Sequence, residues 1–203
     1  MKKYLIYLMM AAAIVTFGAC SPEDEHEPQT PNIENPDDPN QPGDNPDTPN
    51  GDSKILVAYF SWGGTTQRMA QEIIRQTGAD LFRIKPVVPY PTEYTPCTEV
   101  ALEEKNNDAR PAIAATVENW ADYDTVFIGC PIWWHKEPAV IRTFLDNYGE
   151  QLKGKVILPF CTSYESPMSE ADATLKKGYP DLKIRKGLRL PAKSEEIKKW
   201  IEQ

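Results

Sequence analysis

Ser61-Trp62-Gly63-Gly64-Thr65-Thr66 places three hydroxyls and two glycines within six residues. An apolar run, Ile55 to Phe60, precedes it, and Met69, Ala70, Ile73 and Ile74 recur after it at helical spacing. A strand, a small-residue turn and a helix start in that order suit an anion. The first amides of a helix have no intrahelical acceptor and point at whatever sits before them. Ser61, Thr65 and Thr66 would add hydroxyl donors, while Gly63 and Gly64 would bring the backbone close at positive φ. Two nucleotide fingerprints fail here. No lysine lies between Lys54 and Lys85, which excludes Gly-Lys-Ser/Thr, and G-x-G-x-x-G is absent. The expected ligand group is a monophosphate held by amides and hydroxyls. An ordinary strand-to-helix turn capped by Ser or Thr uses the same residue types.

Two later stretches carry further candidates. In Pro131-Ile132-Trp133-Trp134-His135 the adjacent tryptophans follow a proline, so both cannot alternate into a core, and a flat ring is the favoured contact over packing alone. The second group is Thr162-Ser163-Tyr164-Glu165. Trp62 reads as a roof over the first loop, and Tyr90 and Tyr94 either close over the ligand or pack on the surface. His135 is either a proton donor or a solvent-facing loop residue. Cys20, Cys97, Cys130 and Cys161 have neither a disulfide framework's spacing nor a zinc site's. Cys130 and Cys161 are a dithiol or two small buried residues.

These groups need a scaffold, and the rest of the chain supplies its pattern. Strands are expected at Ile55–Phe60, Ala79–Lys85, Tyr123–Cys130, Lys155–Phe160 and within Leu182–Leu190. Helices are expected after Thr66, after a Thr98 cap, over Ala139–Tyr148 with Val140, Ile141, Phe144 and Leu145 inward, over Met168–Lys177, and from a Ser194 cap through Trp200. Strands alternating with helices predict an α/β fold, a parallel sheet with helices on both faces. Ligands of such sheets bind beyond the carboxyl ends of the strands, where strand order reverses. All three candidate stretches fall at that edge. A phosphate loop beside an aromatic loop implies a ligand with a phosphate and a flat ring.

Tyr59-Phe60-Ser61-Trp62-Gly63-Gly64-Thr65-Thr66, Gly129-Cys-Pro-Ile-Trp-Trp134 and Pro159-Phe-Cys-Thr-Ser163 resemble, in order, the three flavin-mononucleotide loops of flavodoxin-like proteins. The resemblance extends over nearly all of residues 54 to 200. It implies a doubly wound five-stranded sheet of order 2-1-3-4-5 and FMN as cofactor. Ser61, Gly64 and Thr66 match the phosphate loop, Trp133 and Trp134 the loop beside the isoalloxazine, and Thr162 and Ser163 the third loop. Gly63 replaces a frequent Ser or Thr, Thr65 a frequent Asn, and Tyr164-Glu165 stand where relatives often have glycines. Those two side chains would crowd the ring or cover it. The flavin would do the chemistry, so no catalytic side chain and no metal is assigned.

The remaining residues concern location. Lys2 and Lys3 precede an apolar stretch from Tyr4 to Phe17, shorter than the roughly 20 residues of a spanning helix, and Gly18-Ala19-Cys20 follows. Residues 1–19 read as a signal peptide, and the junction resembles the lipobox of bacterial lipoproteins, which implies a lipid on Cys20. Residues 21 to 53 hold eight prolines, ten acidic residues and no Lys or Arg, the composition of a disordered tether. Removing those ten acids from 30, and Lys2 and Lys3 from 22, leaves 20 of each sign in residues 54–203. A neutral domain gives no ground for a nucleic-acid partner. The expectation is an FMN redox protein anchored outside the cytoplasm, most simply at the outer membrane on its periplasmic face or at the cell surface. Its donor and acceptor would be a quinone-like molecule or a redox protein. The alternative is a flavodoxin fold without FMN serving as a binding module.

Overall fold

The computed structural model describes residues 54–202; the signal-peptide, Cys20 and tether readings lie outside them. Strand β1 is Ile55–Tyr59, β2 Asp80–Arg83, β3 Thr125–Pro131 and β4 Val156–Thr162. Two short strands follow, β5 Lys183–Ile184 and β6 Leu188–Leu190. All pairings are parallel, in the order β2-β1-β3-β4-β5, with β6 also on β4. This is the expected 2-1-3-4-5 order. Its last strand is divided, because Gly187 turns its N–H onto both Asp172 carboxylate oxygens at 3.2 and 3.1 Å. A side chain at Gly187 would meet Met168 and Asp172.

The helices are α1 Thr65–Thr77, α2 Tyr94–Asn106, α3 Ala139–Leu152, α4 Met168–Gly178 and α5 Ser194–Ile201. One apolar cluster joins Leu56, Ala58, Val126, Ile128 and Ile157 to Val140, Ile141, Phe144 and Leu145 of α3. The other joins Val57, Tyr59, Phe127 and Leu158 to Ala70 and Ile73 of α1 and Ile197 and Trp200 of α5. Alternate strand residues therefore serve opposite faces, as a sheet covered on both sides requires.

Two expected helix starts are displaced. Thr98 does not cap α2 but lies inside it, since the helix begins at Tyr94. Pro96 sits in the first turn, where a missing N–H costs nothing because those amides have no intrahelical acceptor. Ser194 is the first residue of α5, not its cap. The preceding Lys193 gives its backbone N–H to Glu196 Oε2 at 3.2 Å.

Candidate functional site

The first loop leaves β1 at Tyr59, where Phe60 gives its N–H to the Gly129 carbonyl at 2.9 Å. The first backbone bond of α1 is from Arg68 N–H to the Gly64 carbonyl, 3.0 Å. The earlier amides of that turn have no intrahelical acceptor. Gly64 caps the helix at φ 76°, and no side chain caps it. Gly63 does not share the left-handed conformation expected of it, but the space where its Cβ would stand is open. Ser61 is 5% exposed, and its Oγ is buried with no hydrogen-bond partner. An orphan hydroxyl beside a turn of unpaired amides is the chemistry of an anion cradle.

Thr66 and Thr162, both buried, share a hydrogen bond of 2.7 Å between their Oγ1 atoms. That bond joins the first loop to the third. Thr65 is exposed, its hydroxyl 3.3 Å from an Arg68 donor.

The second loop is a tight reversal. Pro131 ends β3, and Trp133 and Lys136 exchange backbone bonds of 2.9 and 3.2 Å. Trp134 and His135 form the tip at φ 50° and 67°. Two consecutive left-handed residues make the hairpin turn that Asn and Gly usually occupy, at a cost of order 1–3 kcal/mol per residue. Neighbours on both sides hold this tip. Trp134 Nε1 donates to the Thr98 carbonyl of α2 at 3.1 Å, and His135 Nδ1 lies 3.1 Å from Glu170 Oε2 of α4.

The two tryptophans separate in role. Trp133 packs edge-on against Phe60 and Tyr90, with centroids at 5.3 and 5.0 Å, so its ring is a wall anchored in the core. Trp134 stays 42% exposed on the rim. Ile132 leans on Cys161, Met168 and Ala171 and bonds its N–H to the Thr162 carbonyl at 3.3 Å. In the third loop Ser163 is half-buried, Tyr164 is 97% exposed and Glu165 is exposed. Neither Tyr164 nor Glu165 fills the site. Arg189 donates to the Glu165 carbonyl at 3.2 Å, which holds the loop against β6.

A segment that periodicity leaves faint completes the mouth. Residues 86–106 cross from β2 into α2, and Trp62 of the first loop gives its Nε1–H to the Pro91 carbonyl at 2.8 Å. Tyr90 donates its hydroxyl to Glu104 Oε2 at 2.7 Å. Burial pushes the Glu104 carboxyl above its ordinary range, and the Tyr90 bond partly opposes that shift. Burial and Glu104 together raise the Tyr90 phenol. Glu104 is absent from the sequence expectations, because α2 has little amphipathic pattern and nothing links positions 90 and 104 until the fold does.

The thiols lie beneath the loops. Cys130 and Cys161 are paired in register on β3 and β4 and are buried. Burial pushes Cys130 well above the ordinary thiol value and Cys161 up to about 12. They stay protonated, which favours packing over a reactive dithiol.

The fold thus brings an orphan hydroxyl and an open helix start together with an aromatic second loop, Trp133 packing on Phe60 at the end of β1. No nucleophile with its base stands there, so any redox chemistry falls to a bound group. Comparison with known proteins agrees with that architecture. The family model "Flavodoxin" matches residues 54–203. A candidate flavoprotein from Bacteroides eggerthii DSM 20697 is 41% identical with a TM-score of 0.68, covering 74% of this chain and 96% of that one. A second from Bacteroides uniformis ATCC 8492 is 34% identical with a TM-score of 0.64, covering 74% and 99%. Both of those chains are covered almost wholly by the match. A flavoprotein in complex with FMN from Lactobacillus acidophilus NCFM shares the fold at 22% identity, with a TM-score of 0.64, covering 73% and 98%. A curated relative, the NAD(P)H dehydrogenase (quinone) of Acidovorax ebreus (strain TPSY), is 31% identical over 121 residues, 55% of this chain and 56% of that protein. The chain spans about half the length of the curated relatives it matches. The matched family covers the whole described domain, and this chain is a member of the flavodoxin family.

Proposed function

We propose that residues 54–203 bind FMN and use it for electron transfer or flavin-dependent reduction, held at a membrane outside the cytoplasm by a lipid on Cys20. One observation carries the cofactor reading: the buried Ser61 hydroxyl has no protein partner and stands beside the free amides of the α1 start. A phosphate there would satisfy both. Ser61, Thr65, Thr66 and the amides from Trp62 to Thr66 would hold it. Trp134, Ser163 and Tyr164 would border the ring, with Trp133 fixing the wall behind. Bound FMN supplies one- and two-electron chemistry; the protein positions it and excludes water. An FMN-bound relative of the same fold supports this reading. The quinone dehydrogenase relatives support a quinone-like acceptor, with a redox protein as the other partner class.

The test is to purify residues 54–203 and titrate the stripped domain with FMN. A yellow domain that retakes FMN at one equivalent is the expected result. A colourless domain without FMN uptake would instead favour a fold that has lost its cofactor and acts as a binding module.

A further inference from the structure

Arg68 is the one Lys or Arg between Ile55 and Ile74, and it sits in the first turn of α1. Long side chains on a helix lean toward its N-terminus. The Arg68 guanidinium does so, and its Nη2 donates to the Thr65 hydroxyl at 3.3 Å. Thr65 opens α1, at the end of the loop in which the buried Ser61 Oγ has no partner. Arg75, Arg110 and Arg142 each pair with a carboxylate. Arg68 is exposed and pairs with none among the described residues.

A cation in that position opposes the helix dipole, whose positive end is the N-terminus. No acid in the first turn offsets it. Dipole, open amides and guanidinium together concentrate positive potential at the start of α1, which a bound anion would relieve.

We propose that Arg68 is a further contact to the terminal phosphate monoester of the flavin, and so helps the site select FMN over the unphosphorylated ring. This rests on the FMN reading. It adds one cation to a cradle expected to hold its phosphate by amides and hydroxyls alone. Thr65 is drawn in as well. Arg68 occupies an acceptor lone pair of its oxygen, which leaves the O–H to donate to the phosphate. A guanidinium also presents a planar fork, which can bond two phosphate oxygens where an ammonium acts as a point charge. Ser61 supplies a buried donor and Arg68 an exposed one. Water and salt screen the exposed contact, so its contribution should be modest and should fall with ionic strength.

The test titrates the FMN-free protein with FMN and with riboflavin, each at low and at high salt. Wild type should lose FMN affinity as salt rises, while riboflavin affinity stays flat. Arg68→Gln should weaken FMN about fivefold at low salt, leave riboflavin unchanged and flatten the salt dependence. Arg68→Lys keeps the charge without the fork and should fall between. Thermal melts of the FMN-free proteins read folding separately. Arg68→Gln should melt no lower than wild type, because it removes a cation from a helix N-terminus. A lower melt with both flavins weakened alike would make Arg68 a structural residue and overturn the proposal. Unchanged FMN affinity and salt dependence in Arg68→Gln would overturn it too, and would leave the cradle standing without its cation. Wild type that binds the two flavins equally would instead refute the phosphate cradle on which the proposal rests.

Discussion

A buried hydroxyl without a partner is a cost to the free protein, and Ser61 carries that cost. Ser61→Ala should therefore leave the stability of the FMN-free domain unchanged or raise it by up to about 1 kcal/mol. The same change should weaken FMN by about 0.5–1.5 kcal/mol, the worth of one hydrogen bond. Thermal melts of the free domain alongside FMN titrations separate the two, and a destabilised domain with unaltered affinity would mean Ser61 is only a packing residue. The glycines differ in the same way. Gly64 holds φ 76°, so Gly64→Ala should destabilise the domain by about 1 kcal/mol or more, while Gly63→Ala meets open space and should be nearly neutral in the free domain. The hydroxyls and glycines were legible as a cradle because their chemistry is local. Which glycine turns left-handed was not, because the helix start decides it.

The elements of the sheet were legible for a different reason. Strands buried on both faces read as apolar runs, and α1 and α3 show their inward stripes. The strap over the mouth was not legible. The sequence places a helix start only at Thr98, whereas α2 begins at Tyr94 and absorbs Pro96 in its first turn, and its anchors are long-range bonds from Trp62, Trp134 and Tyr90. Tyr90→Phe tests the strap. It leaves the half-buried Glu104 carboxylate without its donor and should cost about 1–2 kcal/mol near neutral pH. The pH dependence has a definite sign. Glu104 is raised above its ordinary value of 4.5, so its contribution is full below that pH and declines as pH rises through the folded value. Removing the bond that lowers it should raise that value further, so the deficit of Tyr90→Phe should grow from pH 4 to pH 7. Urea unfolding of both proteins at the two pH values reads this directly. A deficit that shrinks with rising pH would contradict the assignment.

At the scale of the whole molecule, a neutral domain follows an acidic, proline-rich segment whose composition suits a tether. Cys20→Ser should release a folded domain into the soluble fraction, and its retention with membranes would remove the lipid anchor. That division rests on composition alone, whereas the family was legible in three loops in the right order. The orientation of Tyr164 and Glu165 was not legible, because nothing local decides whether an exposed loop side chain turns inward. The central claim is that the first loop grips a phosphate, and two ligands differing only in that group test it most directly. Calorimetric titration of the stripped domain with FMN and with riboflavin should show FMN tighter by about tenfold or more, as expected for several lost hydrogen bonds, at least one of them charge-assisted. Equal affinities for the two flavins would contradict the account.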